Sequence, residues 1–143
     1  MSPFTPDEQQ RIIDAIRQAE KATSGEIRVH LEPNCPSADP VQRAIEVFAR
    51  LGMHQTKAQN GVLFYLAHED RKFAVLGDKG IDAKVPPGFW ESTKDLLRGY
   101  FAKGEYVEGL SLGIGRAGQQ LQQYFPYDGR TDANELADDI STD

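Results

Sequence analysis

The chain is short of the features that most directly announce a function. Its only cysteine, Cys35, excludes an internal disulfide framework and suits a reducing compartment. That cysteine stands in a proline-rich loop with no activating neighbour in sequence, so it reads as incidental rather than nucleophilic. No apolar run approaches the roughly 20 residues that cross a bilayer, and the N-terminus lacks the basic start and apolar stretch of a secretory signal. A soluble, cytoplasmic protein with no membrane segment is therefore expected. Positive charge is also scarce, with 16 Lys and Arg against 22 Asp and Glu. Six of those carboxylates (Asp128, Asp132, Glu135, Asp138, Asp139, Asp143) fall after Tyr127 against Arg130 alone, which leaves the rest of the chain close to neutral. Its charge thus offers no attraction for nucleic acid or an anionic membrane. There is no G-x-S-x-G, no P-loop and no G-x-G-x-x-G following a strand, and His30 has no second histidine or cysteine at zinc-ligand spacing.

What is present centres on Asn60 to Asp82. Gly61 to Ala67 is an unbroken apolar run of β-formers, Lys72 to Leu76 is another, and His68, Glu69, Asp70 and Arg71 turn the chain between them, which predicts a β-hairpin. A strand apolar at every position hides both faces, so helices must cover the sheet on each side. Polar residues gather where the hairpin strands start and finish: Asn60 leads into the first, and Asp78, Lys79 and Asp82 follow the second beside two glycines.

Around the hairpin, Thr5-Pro6-Asp7-Glu8 predicts a capped helix start, and Ile12, Ile13, Ile16 and Ala19 make its apolar stripe up to a stop at Ser24-Gly25. From Glu26 to Glu32 the period changes to two, which predicts a strand with one buried face and one partly wet face, toward a sheet edge, with His30 facing out. Asp39-Pro40 opens a second helix whose expected stripe is Ala44, Ile45, Phe48 and Leu51, closed by Gly52. Lying between two strands, that helix reads as a right-handed crossover, so the strands are parallel and Glu26 joins Asn60 and Asp78 at one sheet edge. Trp90, Leu96, Leu97, Tyr100 and Phe101 mark a helix ended near Gly104, and a last helix from Tyr106 carries Gly109, Gly113 and Gly118, which imply close backbone packing. At 143 residues and 39% hydrophobic content one core is expected. The domain is placed at 1–127, with 128–143 as an acidic disordered tail.

The order of these pieces resembles the TPM domain family: Ser24-Gly25-Glu26-Ile27, a helix, Thr56 followed by Asn60-Gly61-Val62-Leu63, then Asp70 to Ile81, a Trp-bearing helix, Gly104-Glu105-Tyr106 and a glycine-rich last helix. The resemblance spans Thr5 to Tyr127. It implies a Rossmann-like, three-layer α/β/α sandwich with a mixed central sheet of about four strands. It also implies that divalent cations, calcium in particular, can be bound by acidic residues at one end of the sheet, and it brings a link to acid phosphatase activity.

On that basis the expected metal ligands are Asp78, Asp82, Glu26 and the Asn60 side chain, with carbonyls at Gly77 and Gly80, because a hard cation takes six to eight oxygens. The competing reading is that Asp78 only caps a turn, Lys79 neutralises it and Asn60 only orders the start of its strand. A phosphatase would also need positive groups on the phosphoryl oxygens, and Lys79 alone is thin for that. Three functions stay open: cation binding, metal-dependent phosphatase, and an interaction module whose acidic tail recruits an unknown protein partner. The charged group at the other hairpin end, near Glu32 and Asp39, reads as a solvated turn.

Overall fold

The computed structural model describes residues 4–127 and 140–142. Along the chain run α1 (Pro6–Glu20), β1 (Glu26–Glu32), α2 (Pro40–Arg50), a short 3-10 turn (Met53–Gln55), β2 (Gly61–Ala67), β3 (Lys72–Gly77), α3 (Lys79–Asp82), α4 (Glu91–Ala102), α5 (Tyr106–Leu121) and β4 (Ile140–Thr142). The four strands form one mixed sheet in the order β3-β2-β1-β4. β1 is parallel to β2 from Glu26↔Gly61 to Glu32↔Ala67, and β2 is antiparallel to β3 from Val62↔Gly77 to Ala67↔Lys72.

Both faces of β2 are buried, as its uninterrupted apolar sequence requires. Val62, Phe64 and Leu66 pack with Ile12, Ile16, Leu97, Leu110 and Ile114 from α1, α4 and α5. Leu63, Tyr65 and Ala67 pack with Ala44, Val47 and Phe48 from α2. The sheet therefore separates two apolar layers, with helices on both faces. The Thr5 capping box forms at α1 as its sequence predicts. Gly109, Gly113 and Gly118 do mark close approaches: a Cβ on each would come within 2.8 Å of Tyr100, 2.7 Å of Leu97 and 2.9 Å of Ala19. Helices α4 and α1 can lie this near α5 only because those positions carry no side chain.

Several expectations are corrected. Ile45 is 45% exposed and Val47 takes its place in the α2 stripe, since a spacing of three and four from Ala44 meets the sheet and a spacing of one does not. Gly25 does not stop α1. That helix closes on Lys21 in the right-handed region, and Gly25 instead lets Leu121 approach. The residues after β3 form a capped single turn of helix, α3. β1 is not a sheet edge with a wet face. β4 pairs alongside it through Val29↔Ile140 and Leu31↔Thr142, and His30 is 1% exposed rather than facing out. Within the stretch expected to be a disordered tail, Ile140–Thr142 are thus a strand, because the free ladder of β1 accepts them and Ile140 packs against the core. Residues 128–139 and 143 lie outside the described residues.

Candidate functional site

The Asp78 end of the sheet assembles from backbone pairing. Glu26 donates its N–H to Asn60 O at 3.2 Å, and Asp78 donates its N–H to Gly61 O at 2.9 Å, so Glu26, Asn60 and Asp78 stand at one edge, as the topology argument required. All three are buried, at 6%, 3% and 7% exposure. Asn60 is fixed by Thr56 Oγ1, which accepts its N–H, and by Ser24 O, which accepts from Nδ2, both at 3.2 Å. Gly80 donates to Gln59 O at 2.9 Å, and a Cβ on Gly80 would stand 2.2 Å from Ala58 O. Only glycine lets α3 press so closely on the start of β2.

Asp78 does cap the turn. Its Oδ1 accepts the Lys79 N–H at 2.7 Å, and its carbonyl accepts from Ile81 and Asp82. The capping reading is therefore correct as far as it goes, but it uses only half of the carboxylate. Asp78 Oδ2 is buried and has no hydrogen-bond partner. A buried carboxylate oxygen left unpaired costs on the order of 1–3 kcal/mol, so a fold that keeps one leaves a strong acceptor without a partner. Asp82 sits one turn further on and is exposed. Among the described residues no group of three or more His, Cys, Asp or Glu is spaced to hold a metal ion. The edge thus gathers Glu26, Asn60 and Asp78, with Asp82 beside it, without closing them into a cage.

Beyond Asp82 the chain forms a pocket of ≈ 480 Å³ lined by Asp82, Val85 to Glu91 and Lys94. Pro86-Pro87-Gly88 shapes it, with Gly88 at φ +77° and Phe89 N–H donating back to Pro86 O at 3.2 Å. Trp90 forms one wall, and its indole Nε1 is buried without a partner. That nitrogen would be 3.4 Å from a Cβ on Gly77, the residue next to Asp78. Sequence reading missed this pocket, although Pro-Pro-Gly followed by Phe-Trp was the available signal.

The opposite end is arranged differently. Glu32 is 4% exposed and is clamped by Arg43 through Nε to Oε2 at 2.9 Å and Nη2 to Oε1 at 2.8 Å. Tyr65 OH donates to Oε2, His30 Nε2 stands 3.3 Å from Oε1, and His30 Nδ1 is hydrogen-bonded to Ser141 Oγ. Burial, the largest effect, pushes the Glu32 carboxyl up, but the bonds from Arg43, Tyr65 and His30 together with the Arg43 charge hold it down at about 2. Burial first, and then the bond to Glu32, push the Tyr65 phenol well above its usual range. Asp70 accepts the Cys35 N–H at 2.7 Å and Asn34 Nδ2 at 3.1 Å, and these bonds lower its carboxyl. Glu32 was expected near a solvated turn; it is instead the centre of a buried network. Both of its oxygens are satisfied, which marks it as a structural clamp tying β1, β2, α2 and β4.

The sheet order, the two helical layers and the polar edge define a mixed α/β sandwich. The model of the TPM domain matches residues 2–120, and the chain belongs to that family. It is similar to the BA42 protein of the psychrophilic bacterium Bizionia argentinensis, whose NMR structure is 45% identical, with 99% of this chain and 97% of that one covered at a TM-score of 0.92. The N-terminal domain of a protein from P. gingivalis shares the fold at 20% identity, covering 89% and 82%, with a TM-score of 0.72. The N-terminal domain of the cg2496 protein of Corynebacterium glutamicum does so at 12% identity, covering 89% and 77%, with a TM-score of 0.64. No curated protein sequence matches the chain. No helix among the described residues is long and apolar enough to cross a membrane.

Proposed function

We propose that this TPM domain binds a divalent cation, calcium foremost, at the Asp78 edge of its sheet. The observation that carries the reading is the buried, unpartnered Oδ2 of Asp78. A hard cation is the natural partner for a carboxylate oxygen that the protein itself leaves unbonded, and all four proposed ligands, Asp78, Asp82, Glu26 and Asn60, offer oxygen. In this reading Asp78 is the anchor, exposed Asp82 follows one helical turn on, and Glu26 and Asn60 stand at the same edge. Because no three acids among the described residues are spaced to close on one ion together, water completes the coordination in this reading. Few charged ligands make a weak site, on the order of 10⁻⁴–10⁻³ M, as in extracellular calcium modules. Such an ion supplies a fixed positive charge at the surface.

Thermal unfolding against calcium concentration tests this. An ion that binds only the folded state at a hundred times its Kd adds roughly 2.7 kcal/mol and raises Tm. Asp78→Asn keeps a capping side chain while replacing the unpaired oxygen or its charge, so it should abolish the rise with little loss of basal stability. Asp70→Asn, at the far hairpin turn, should leave the rise intact. If Asp70→Asn removes it and Asp78→Asn does not, the cation binds at the Glu32 end.

A further inference from the structure

The two edges of the sheet are finished differently. β3 ends the sheet on one side, and on the other β1 is covered by β4, a strand of 3 residues. Glu26 gives its N–H to Asn60 on the β2 side, so along β1 the odd-numbered residues turn their backbone groups the other way, toward β4. The ladder they offer is bounded. Ile27 N–H is already taken by Glu20 Oε2 at 3.0 Å, which leaves Val29 and Leu31 as the open rungs, and β4 pairs along them. On one face Ile140 packs against the core that contains Val29, Leu31, Ile12 and Ile16. On the other, His30 stacks on Tyr65 with ring centroids 6.0 Å apart and stands 3.3 Å from Glu32 Oε1, so that its Nδ1 meets Ser141 Oγ. The slot is thus built by β1, β2 and α1. Its occupant is held lightly, with Ile140 and Ser141 half-buried and Thr142 exposed.

From this arrangement we propose that the β1 edge is a binding slot for an extended segment of a partner protein, and that β4 is its tethered, exchangeable occupant. The seated strand states the chemistry the slot selects. The partner segment runs parallel to β1, with a β-branched apolar residue beside Val29 and hydroxyl residues beside His30 and Leu31. Backbone pairing supplies the affinity of such strand addition, and the places for alternate side chains supply its specificity. A strand this short with so little buried surface opens locally while the rest of the fold stays closed. Because it remains tethered, β4 competes at an effective concentration on the order of millimolar, which keeps the slot shut against weak or scarce segments. The slot lies across the sheet from the strand that ends at Asp78, and the inference stands apart from the cation reading.

The full chain and the peptide acetyl-Asp-Asp-Ile-Ser-Thr-Asp, a copy of residues 138–143, test this. Ile140→Asp loosens β4 within the chain, and the Leu31 amide and His30 ring are followed by NMR as peptide is added to about 1 mM. Saturable shifts at both groups are expected in Ile140→Asp. Binding to the parent should be about tenfold weaker, because its own β4 competes, and a peptide with aspartate in place of its isoleucine should not saturate. Amide exchange in the parent supplies a second measurement. Leu31 N–H should exchange about a hundredfold faster than Phe64 N–H, which lies between β1 and β2, because only β4 needs to open. Equal binding to parent and variant, or binding indifferent to the peptide isoleucine, puts the peptide elsewhere and overturns the slot. A folded Ile140→Asp chain that binds no peptide does the same. Leu31 exchange no faster than that of Phe64, or an Ile140→Asp chain that fails to fold, makes β4 a fixed part of the core and overturns the exchange.

Discussion

Replacing Glu32 by Gln separates a charge clamp from simple packing. In the folded protein the carboxyl lies at about 2 against an ordinary value of 4.5. At about 1.36 kcal/mol per pH unit, that difference amounts to ~3 kcal/mol of stability held by the ionised form. Because the folded value is depressed, the stabilisation is fully present above pH 4.5 and is lost as pH falls toward 2. Near pH 2 only a few tenths of a kcal/mol remain. Glu32→Gln takes the buried anion from Arg43, whose side chain is 14% exposed, leaving the exposed Glu46 at 3.7 Å, and removing one partner of a buried pair costs about 3–5 kcal/mol. Urea unfolding of both proteins at pH 6 should therefore show a gap of at least ~3 kcal/mol, and at pH 2–2.5 the gap should shrink to under ~1 kcal/mol. The difference between the two proteins cancels the titration of the other carboxylates. A gap that stays constant across this range would show that Glu32 contributes shape and not charge.

Two further outcomes follow from the geometry. Gly80→Ala should cost at least ~2 kcal/mol and weaken calcium binding, because a Cβ there would meet backbone oxygens of Ala58 and Gln59 at 2.2 and 2.6 Å, whereas Gly115→Ala, with nothing within 4 Å, should gain up to ~1 kcal/mol by helix propensity; chemical denaturation compares them, and a neutral Gly80→Ala would contradict the close approach of α3 to β2. Ending the chain at Asp139 should lower stability by ~1–3 kcal/mol and unmask amide exchange along β1, since β4 covers Val29 to Leu31 and Ile140 packs on the core; an unchanged Tm would mean that β4 contributes nothing.

Where pattern and burial are the same thing, the sequence was sufficient. An all-apolar β2 requires two covering layers, a capping box starts a helix wherever the helix then packs, and glycines inside α5 mark contacts before the neighbours are known. The same holds for the edge that joins Glu26, Asn60 and Asp78, because strand order and direction place residues without reference to side chains. Other features needed the tertiary structure. A three-residue strand reached through acidic sequence has no local signal, and Ile140–Thr142 become β4 only because β1 offers an unpaired ladder. That pairing covers the edge of β1 and bonds His30 to Ser141, while Arg43 of α2 and Tyr65 of β2 close on Glu32 at the face whose alternation reads as wet, so His30 and Glu32 become members of a network. Which half of a carboxylate is used is likewise invisible in sequence. Asp78 followed by Lys79-Gly80 announces a cap, but that only one carboxylate oxygen is used and the other is buried without a partner depends on how closely α3, resting on Gly80, packs on the start of β2.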